Sequence, residues 1–290
     1  VSDLWTEPVT KAGIYQMDEA YYHSDCVPEA LGGSLSSSGA KLLLPPNCPA
    51  IFDWQRRHGK RPSKAMELGT VVHGMILGTG QPVDVLDFPN YTTGDAKKAK
   101  AKAIAEGKVP QLTHQYAEAV AIADAVRQHP TAGPLFAEGD AEMSGFWFDE
   151  KFGVWRRCRW DHLTPWGEIA DLKTCADASP EAVAKAMFNF GYFQQNPWYR
   201  DGYTALFGEE PRDFLNVFVA TEPPYLVTIA RLPDEHVELG RKRNREALEK
   251  YADCTAAGVW PAWSQDIIDI PLPYWAAKNI EAELLHDLDY

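Results

Sequence analysis

Residues 167–178 read GEIADLKTCADA, and the fold turns on how Asp171 and Lys173 are placed within it. Gly167 opens the run, Ile169, Ala170 and Leu172 give it strand character, and small and polar residues close it. Side chains alternate along a strand, so Asp171 and Lys173 share one face while Ala170 and Leu172 share the other. A carboxylate and an ammonium at the buried end of a strand are costly unless something uses both.

The segments on either side fix the fold class. AEMSGFWFD (141–149) and VWRRCRWDHL (154–163) alternate with a period of two around a turn, which predicts a β-hairpin. EIADLKT (168–174) is then a third strand, and FLNVFVA (214–220) and YLVTIARL (225–232) are two more. Helices are predicted over 36–44, 51–57, 61–78, 96–108, 115–128, 179–191, 192–208 and 233–258. In the 61–78 helix Ser63 is a candidate cap, Glu67 lies early, and Met66, Gly69, His73, Ile76 and Leu77 fall on one side. Ser179 and Pro180 open the next helix signal well. The stretch 81–96 reads as irregular, and 260–275 as extended and aromatic before a short final helix. This order predicts an α/β protein with a central mixed sheet flanked by helices. No composition break divides it, so residues 1–290 are expected to form a single domain with a catalytic core of about 60–260.

Composition bounds the function. Of 290 residues, 45% are hydrophobic, enough for a sizeable core, and no stretch approaches the ~20 apolar residues of a membrane span. The first residues lack the apolar centre of a signal peptide, so a cytoplasmic protein without a membrane partner is expected. Five scattered cysteines without a CxxC pair disfavour a zinc knuckle or a disulfide framework. The net charge of −13 argues against a uniformly basic nucleic-acid binder. Net charge is not distribution, however. Lysines cluster at 97–102 and arginines at Arg156, Arg157 and Arg159 and from Arg241 to Arg245, each open between a solvated face and a phosphate-binding one.

Several residues carry chemistry together. Asp161 ends the second hairpin strand and Asp171 lies near the end of the next, so paired strands would bring the two carboxylates close. Two such carboxylates repel unless a cation lies between them, and hard divalent ions take carboxylate and carbonyl oxygens. Lys173 on the same face can hold a water beside the metal, an arrangement suited to phosphodiester hydrolysis. Glu142 opens an aromatic strand and is open between a metal role, direct or through water, and a solvated strand-end carboxylate. His73, four residues after Gly69 on an apolar helix face, is either a core histidine or a ligand.

The ordered set Gly-x-x-x-His, Glu, Arg-x-Asp, Asp-x-Lys and Gln-x-x-x-Tyr resembles the PD-(D/E)XK nuclease superfamily, in particular its RecE-like (exonuclease VIII) phage and prophage exonucleases. The resembling segments are 34–57, 65–78, 141–163, 169–203 and, more weakly, 258–263. The resemblance implies a restriction-endonuclease-like core. It also implies that His73, Asp161, Asp171 and the backbone carbonyl of Leu172 bind metal, with Glu142 an acid near it. Lys173 would position the attacking water, and Gln195 and Tyr199 would organise the site or touch the DNA backbone. The cofactor implied is Mg²⁺, with Mn²⁺ able to substitute. The cysteine trio that serves an iron–sulfur cluster in some relatives is missing, so no cluster is expected.

Two departures stand out. Trp160 replaces the motif's leading proline, and Pro197 lies inside the Gln-x-x-x-Tyr stretch, where it would start or kink the helix near Gln194. Gln194 is therefore available as well as Gln195. The implied activity is degradation of one strand of linear double-stranded DNA, 5′ to 3′, leaving 3′ overhangs. The implied partners are a RecT-type single-strand annealing protein and further copies of the chain in a ring, a tetramer before a trimer. Arg156, Arg157 and Arg159 are the expected phosphate contacts, the last two sharing a strand face with Asp161 if no bulge intervenes, and Arg56 and Arg57 are further candidates. The alternatives are an endonuclease or single-strand-specific nuclease with the same core, and a nuclease-like fold that only binds.

Overall fold

The alternating segments become the central strands of a sheet in the computed structural model, which describes residues 4–24, 26–59 and 64–286. Ser63 and the side chains of Met66 and Glu67 lie outside the described residues. In chain order the first elements are β1 (Gly13–Gln16), α1 (Glu19–His23), β2 (Ser34–Ser36), α2 (Ser37–Leu42) and α3 (Pro49–His58). α4 (Lys64–Leu77) carries His73 and precedes β3 (Val83–Leu86), α5 (Gly94–Ala105), β4 (Val109–Leu112), α6 (Thr113–Gln128) and α7 (Ala132–Leu135). The hairpin is β5 (Asp140–Asp149) and β6 (Val154–Leu163), and β7 (Glu168–Cys175) follows. The chain continues through α8 (Pro180–Asn189), α9 (Tyr192–Phe207), β8 (Asp213–Ala220), β9 (Val227–Arg231), α10 (Asp234–Ala257) and α11 (Tyr274–His286).

The main sheet has seven strands in the order β1-β5-β6-β7-β8-β9, with β2 also paired to β6. β7 and β8 run parallel and the hairpin antiparallel, so the sheet is mixed. The segment 81–96, predicted irregular, contains β3, which pairs in parallel with β4 as a separate two-stranded sheet. Strands as short as β1 to β4 leave too few positions for a two-residue alternation to register.

β2 and β7 share one edge of β6. β2 pairs with Trp155 to Arg157, and β7 pairs only with His162 and Leu163. The sheet therefore forks between Cys158 and Asp161. Beyond the fork, Asp171 to Cys175 of β7 pair with β8 alone.

Two cores sandwich the sheet. One packs Trp160, Trp198, Phe214, Leu248 and Tyr251 beneath α2, α9 and α10. The other packs Val72, Ile122, Ala170, Leu172 and Val217 beneath α4 and α6. The hairpin changes sides between them. Met143 and its cross-strand partner Trp160 face the first core, whereas Ala141 packs on the second and its partner His162 lies against Phe136 there. Residues two apart should share a face, so the alternation is broken at Glu142 and Asp161. Glu142 has φ 57°, a left-handed conformation that side chains other than glycine rarely adopt, and this turns the strand over.

α9 matches the helix expected over 192–208 and bears on the effect expected of Pro197. It starts at Tyr192, after a left-handed Gly191, and runs through Pro197 to Phe207 without starting or breaking at Gln194. Pro197 has no N–H to give the Phe193 carbonyl one turn earlier. α10 crosses at that point through Gly240, where a Cβ would stand 2.0 Å from the Phe193 oxygen and 2.9 Å from Pro197 Cγ. The interior proline and the close-packing glycine thus lie against each other. Gly240→Ala is expected to destabilise the fold by about 1–3 kcal/mol through overpacking, despite alanine's better helix propensity. Urea denaturation measures this, and an unchanged or raised midpoint would mean that the helices part without strain.

Candidate active site

The site lies in the fork of the sheet. Where β6 leaves β7, the Leu172 N–H and C=O would lose strand partners. Side chains take them over: Leu172 N–H donates to Asp161 Oδ2 at 2.8 Å, and Leu172 O lies 2.9 Å from His73 Nε2. A carbonyl can only accept, so Nε2 carries the proton and Nδ1 presents its lone pair. Nδ1 lies 3.9 Å from Asp161 Oδ2. α4 can come this close because Gly69 has no side chain, and a Cβ there would stand 3.1 Å from Thr174 Oγ1 at the end of β7.

Asp171 lies on the other face of β7 and is fully buried. Gln195 Nε2 on α9 donates to its Oδ1 at 2.8 Å. Asn216 Nδ2 on β8 donates to Oδ2 at 2.9 Å, and Lys173 Nζ lies 2.5 Å from the same oxygen. The Lys173 ammonium also faces the Tyr192 ring at 5.1 Å. Gln194 instead exchanges hydrogen bonds with Asn244 of α10. Of the two glutamines, Gln195 is therefore the one at the site.

Burial and mutual charge set the electrostatics. Burial, reinforced by the Asp171 charge, holds the Asp161 carboxyl well above its ordinary range. Burial, with the Lys173 charge beside it, lowers the His73 imidazole, so the ring is neutral. Burial alone would lower Lys173, but Asp171 and Asp161 together outweigh it and raise the ammonium. Burial raises the Tyr199 phenol, which packs one turn along α9 against Phe214.

Glu142 is no solvated strand end. Its carboxylate pairs with Arg159 Nε, and Arg159 also donates to Met17 O and Ser144 Oγ at 2.9 and 3.1 Å. Glu142 lies close enough for its charge to act on both Asp161 and His73. The expectation that Arg156 and Arg157 meet phosphate beside Asp161 is corrected by their placement. Arg156 points to the α9 side, stacked on Trp147 and Trp198 and paired with Asp149 and Asp201 at 3.2 and 3.3 Å. Arg157 is buried, donates to Ser34 Oγ at 2.8 Å and lies over Tyr22. The turnover at Glu142 and Asp161 is the intervening irregularity that parts Arg157 and Arg159 from the Asp161 face. Arg56 and Arg57 both pair with Asp53 on α3, and Arg56 stacks on Trp260.

The donors fit a hard divalent ion. Asp161 Oδ2 and His73 Nδ1 are two acceptors facing each other within the ~4 Å that can separate ligands around an ion with bonds of ~2.0–2.1 Å. The Leu172 carbonyl lies at the Nε2 side of the same ring, and the Leu172 N–H is bonded to Asp161. Asp171 accepts three contacts, and a carboxylate offers about four lone-pair sites, so one remains. Among the described residues no three histidine, cysteine, aspartate or glutamate side chains already close around one point.

Asn216 is the site residue missed in the sequence. A polar residue inside the apolar run FLNVFVA was the available signal, and β8 brings it directly opposite Asp171 in the parallel ladder.

Residues 36–268 match a family described as "PDDEXK-like domain of unknown function (DUF3799)". The fold is similar to a crystal structure of a "Putative exonuclease" from Eubacterium rectale, with a TM-score of 0.62 at 16% identity over 89% of this chain and 96% of that one. No curated protein matches the sequence.

Removing one member of the Asp171–Lys173 pair should expose its cost. Lys173→Met is expected to destabilise the protein by about 3–5 kcal/mol in EDTA, because it leaves a buried carboxylate less compensated. Asp171→Asn combined with Lys173→Met should recover part of that loss. Urea denaturation of the full cycle checks it, and additive losses would mean that the two groups are uncoupled.

Proposed function

Since the chain belongs to this PDDEXK-like family, whose nucleases typically use divalent metals, we propose that it is a Mg²⁺-dependent exodeoxyribonuclease acting on linear double-stranded DNA. The observation that carries the reading is the gathering of Asp161, His73, Asp171, Lys173 and Gln195 around the Leu172 peptide in the fork. Asp161, Asp171, His73 and the Leu172 carbonyl would hold the ion, with Mn²⁺ a workable substitute. When bound, the ion supplies charge neutralisation at the scissile phosphate and lowers the pKa of a coordinated water.

The chain's own groups do the rest. Gln195 and Asn216 fix the Asp171 carboxylate from two sides, so its free lone pair keeps one direction. Lys173, held protonated by the two carboxylates, donates to the attacking water and orients it toward phosphorus. The neutral His73 ring offers a lone pair and no competing charge. Glu142, held by Arg159, adds an acid at the outer side of the site, suited to a water-mediated contact. Tyr199, on the face of α9 below Gln195, supports the glutamine's position.

The resemblance to RecE-like exonucleases supports 5′-to-3′ polarity with 3′ overhangs, a RecT-type annealing partner and a ring of copies, a tetramer before a trimer. An acidic exterior with DNA held in an inner channel would reconcile the net charge of −13 with a DNA substrate.

End-labelled linear duplexes test the activity. With Mg²⁺, the 5′ label is expected to be released as mononucleotide while the 3′-labelled strand shortens from its far end, and covalently closed circles should survive. Cutting circles as readily as linear DNA would replace the exonuclease by an endonuclease. Asp171→Ala should abolish the digestion, and Lys173→Ala should lower kcat by roughly 10²–10⁴. Full activity in Asp171→Ala would overturn the site.

A further inference from the structure

Two large rings stand out of the surface beside the candidate site. Phe188 is 74% exposed and Phe190 64%, and none of the hydrophobic clusters includes either. α8 turns Val183 and Met187 inward to the cluster around Phe218 and leaves Phe188 outside it. The helix ends at Asn189, and Gly191, left-handed at φ 65°, reverses the chain into α9. The reversal holds Phe190 out at the corner. It also brings Phe193 back to stack on Phe188, with ring centroids 6.0 Å apart and planes at 16°.

The rings are continuous with the site, and Tyr192 is the link. Lys173 Nζ lies 5.1 Å from the Tyr192 centroid, and the Phe190 centroid lies 5.8 Å from it. Lys41 of α2 crosses the corner: its ammonium lies 5.6 Å from the same Tyr192 ring and donates to Phe190 O at 2.9 Å. Gly191 admits it, since a Cβ there would stand 2.9 Å from Lys41 Cδ. Lys185 stands on α8 one turn before Phe188, and the one acid of that helix, Glu181, lies at its far end.

The corner thus presents π faces interleaved with ammonium groups. An apolar protein face laid on it would desolvate those ammonium groups without pairing them. A single nucleic-acid strand suits both, because its bases stack on rings while its phosphates meet cations. Contacts of 5.1 and 5.8 Å separate Lys173 from Phe190, no more than about three nucleotide steps of ~3.4 Å each. A strand whose phosphate lies at the site therefore has its neighbouring bases at the corner. A base stacked on a protein ring has left the stack of its own duplex.

We propose that Phe188 and Phe190, with Lys41 beside them, form a stacking platform for unpaired bases of the DNA strand held at the site. The platform keeps the terminal nucleotides of that strand apart from their complement. This rests on the nuclease reading of the site, and the test separates the two.

Fluorescence anisotropy in EDTA, where metal-dependent cleavage does not run, compares a duplex carrying a short single-stranded tail with the same duplex carrying an abasic tail. Tails at the 5′ and at the 3′ end are both used. The wild type is expected to bind the base-bearing tail about 5- to 150-fold more tightly than the abasic one. Phe188→Ala/Phe190→Ala should bind both alike, and Phe188→Trp/Phe190→Trp, which keeps the π faces, should retain the preference. The substituted side chains are exposed, so folding should survive, and circular dichroism checks it. A wild type without the preference overturns the proposal, as does an equal preference in the alanine variant. If that variant instead changes its assembly state in light scattering and keeps the preference, the rings cover another copy and the platform falls. A preference lost in the alanine variant, with no Mg²⁺-dependent digestion by the wild type, keeps the platform and removes the nuclease. Digestion without any base preference removes the platform alone.

Discussion

The peptide unit of Leu172 is the constraint on which the site depends. A strand that loses its neighbour halfway along must find other partners for its backbone groups, because buried N–H and C=O groups are rarely left unpaired. Here the partners are the Asp161 carboxylate and the His73 imidazole. The splaying of β6 from β7 and the assembly of the site are thus one event. The carbonyl and the two side chains gather because the sheet opens there, and the sheet can open because they gather.

The second face of β7 is organised by charge. Asp171 is buried among an ammonium and two amide donors supplied by three elements. Pairing of a buried carboxylate by several donors is what makes its burial tolerable. α10 closes on α9 at Gly240, beside Phe193 and Pro197 on either side of Gln195, so a helix contact remote from the chemistry bears on the position of a group inside it.

Much of this was legible in the sequence. The hairpin, the Asp171 strand and the His73 helix follow from periodicity, and the acid–lysine pair announces itself as an anomaly in an apolar run. What escaped has physical reasons. Asn216 reaches the site through the β7–β8 register, which no local pattern encodes. β1 to β4 are too short for alternation to show. Counting faces along β6 puts Arg157 and Arg159 beside Asp161 only in an unbroken strand, and the hairpin turns over at Glu142. Arg156 and Arg157, read as phosphate contacts, are internal ties between the sheet and its flanking elements.

That turnover bears on how the molecule holds together. Most of the hairpin's inward side chains, Trp147, Val154, Cys158 and Trp160 among them, belong to the core beneath α9, while Ala141 beyond the backbone reversal packs on the core beneath α4. The same two strands thus contribute side chains to both cores. The two faces of the sheet are therefore coupled into one cooperative unit, with Glu142 and Asp161 as its seam.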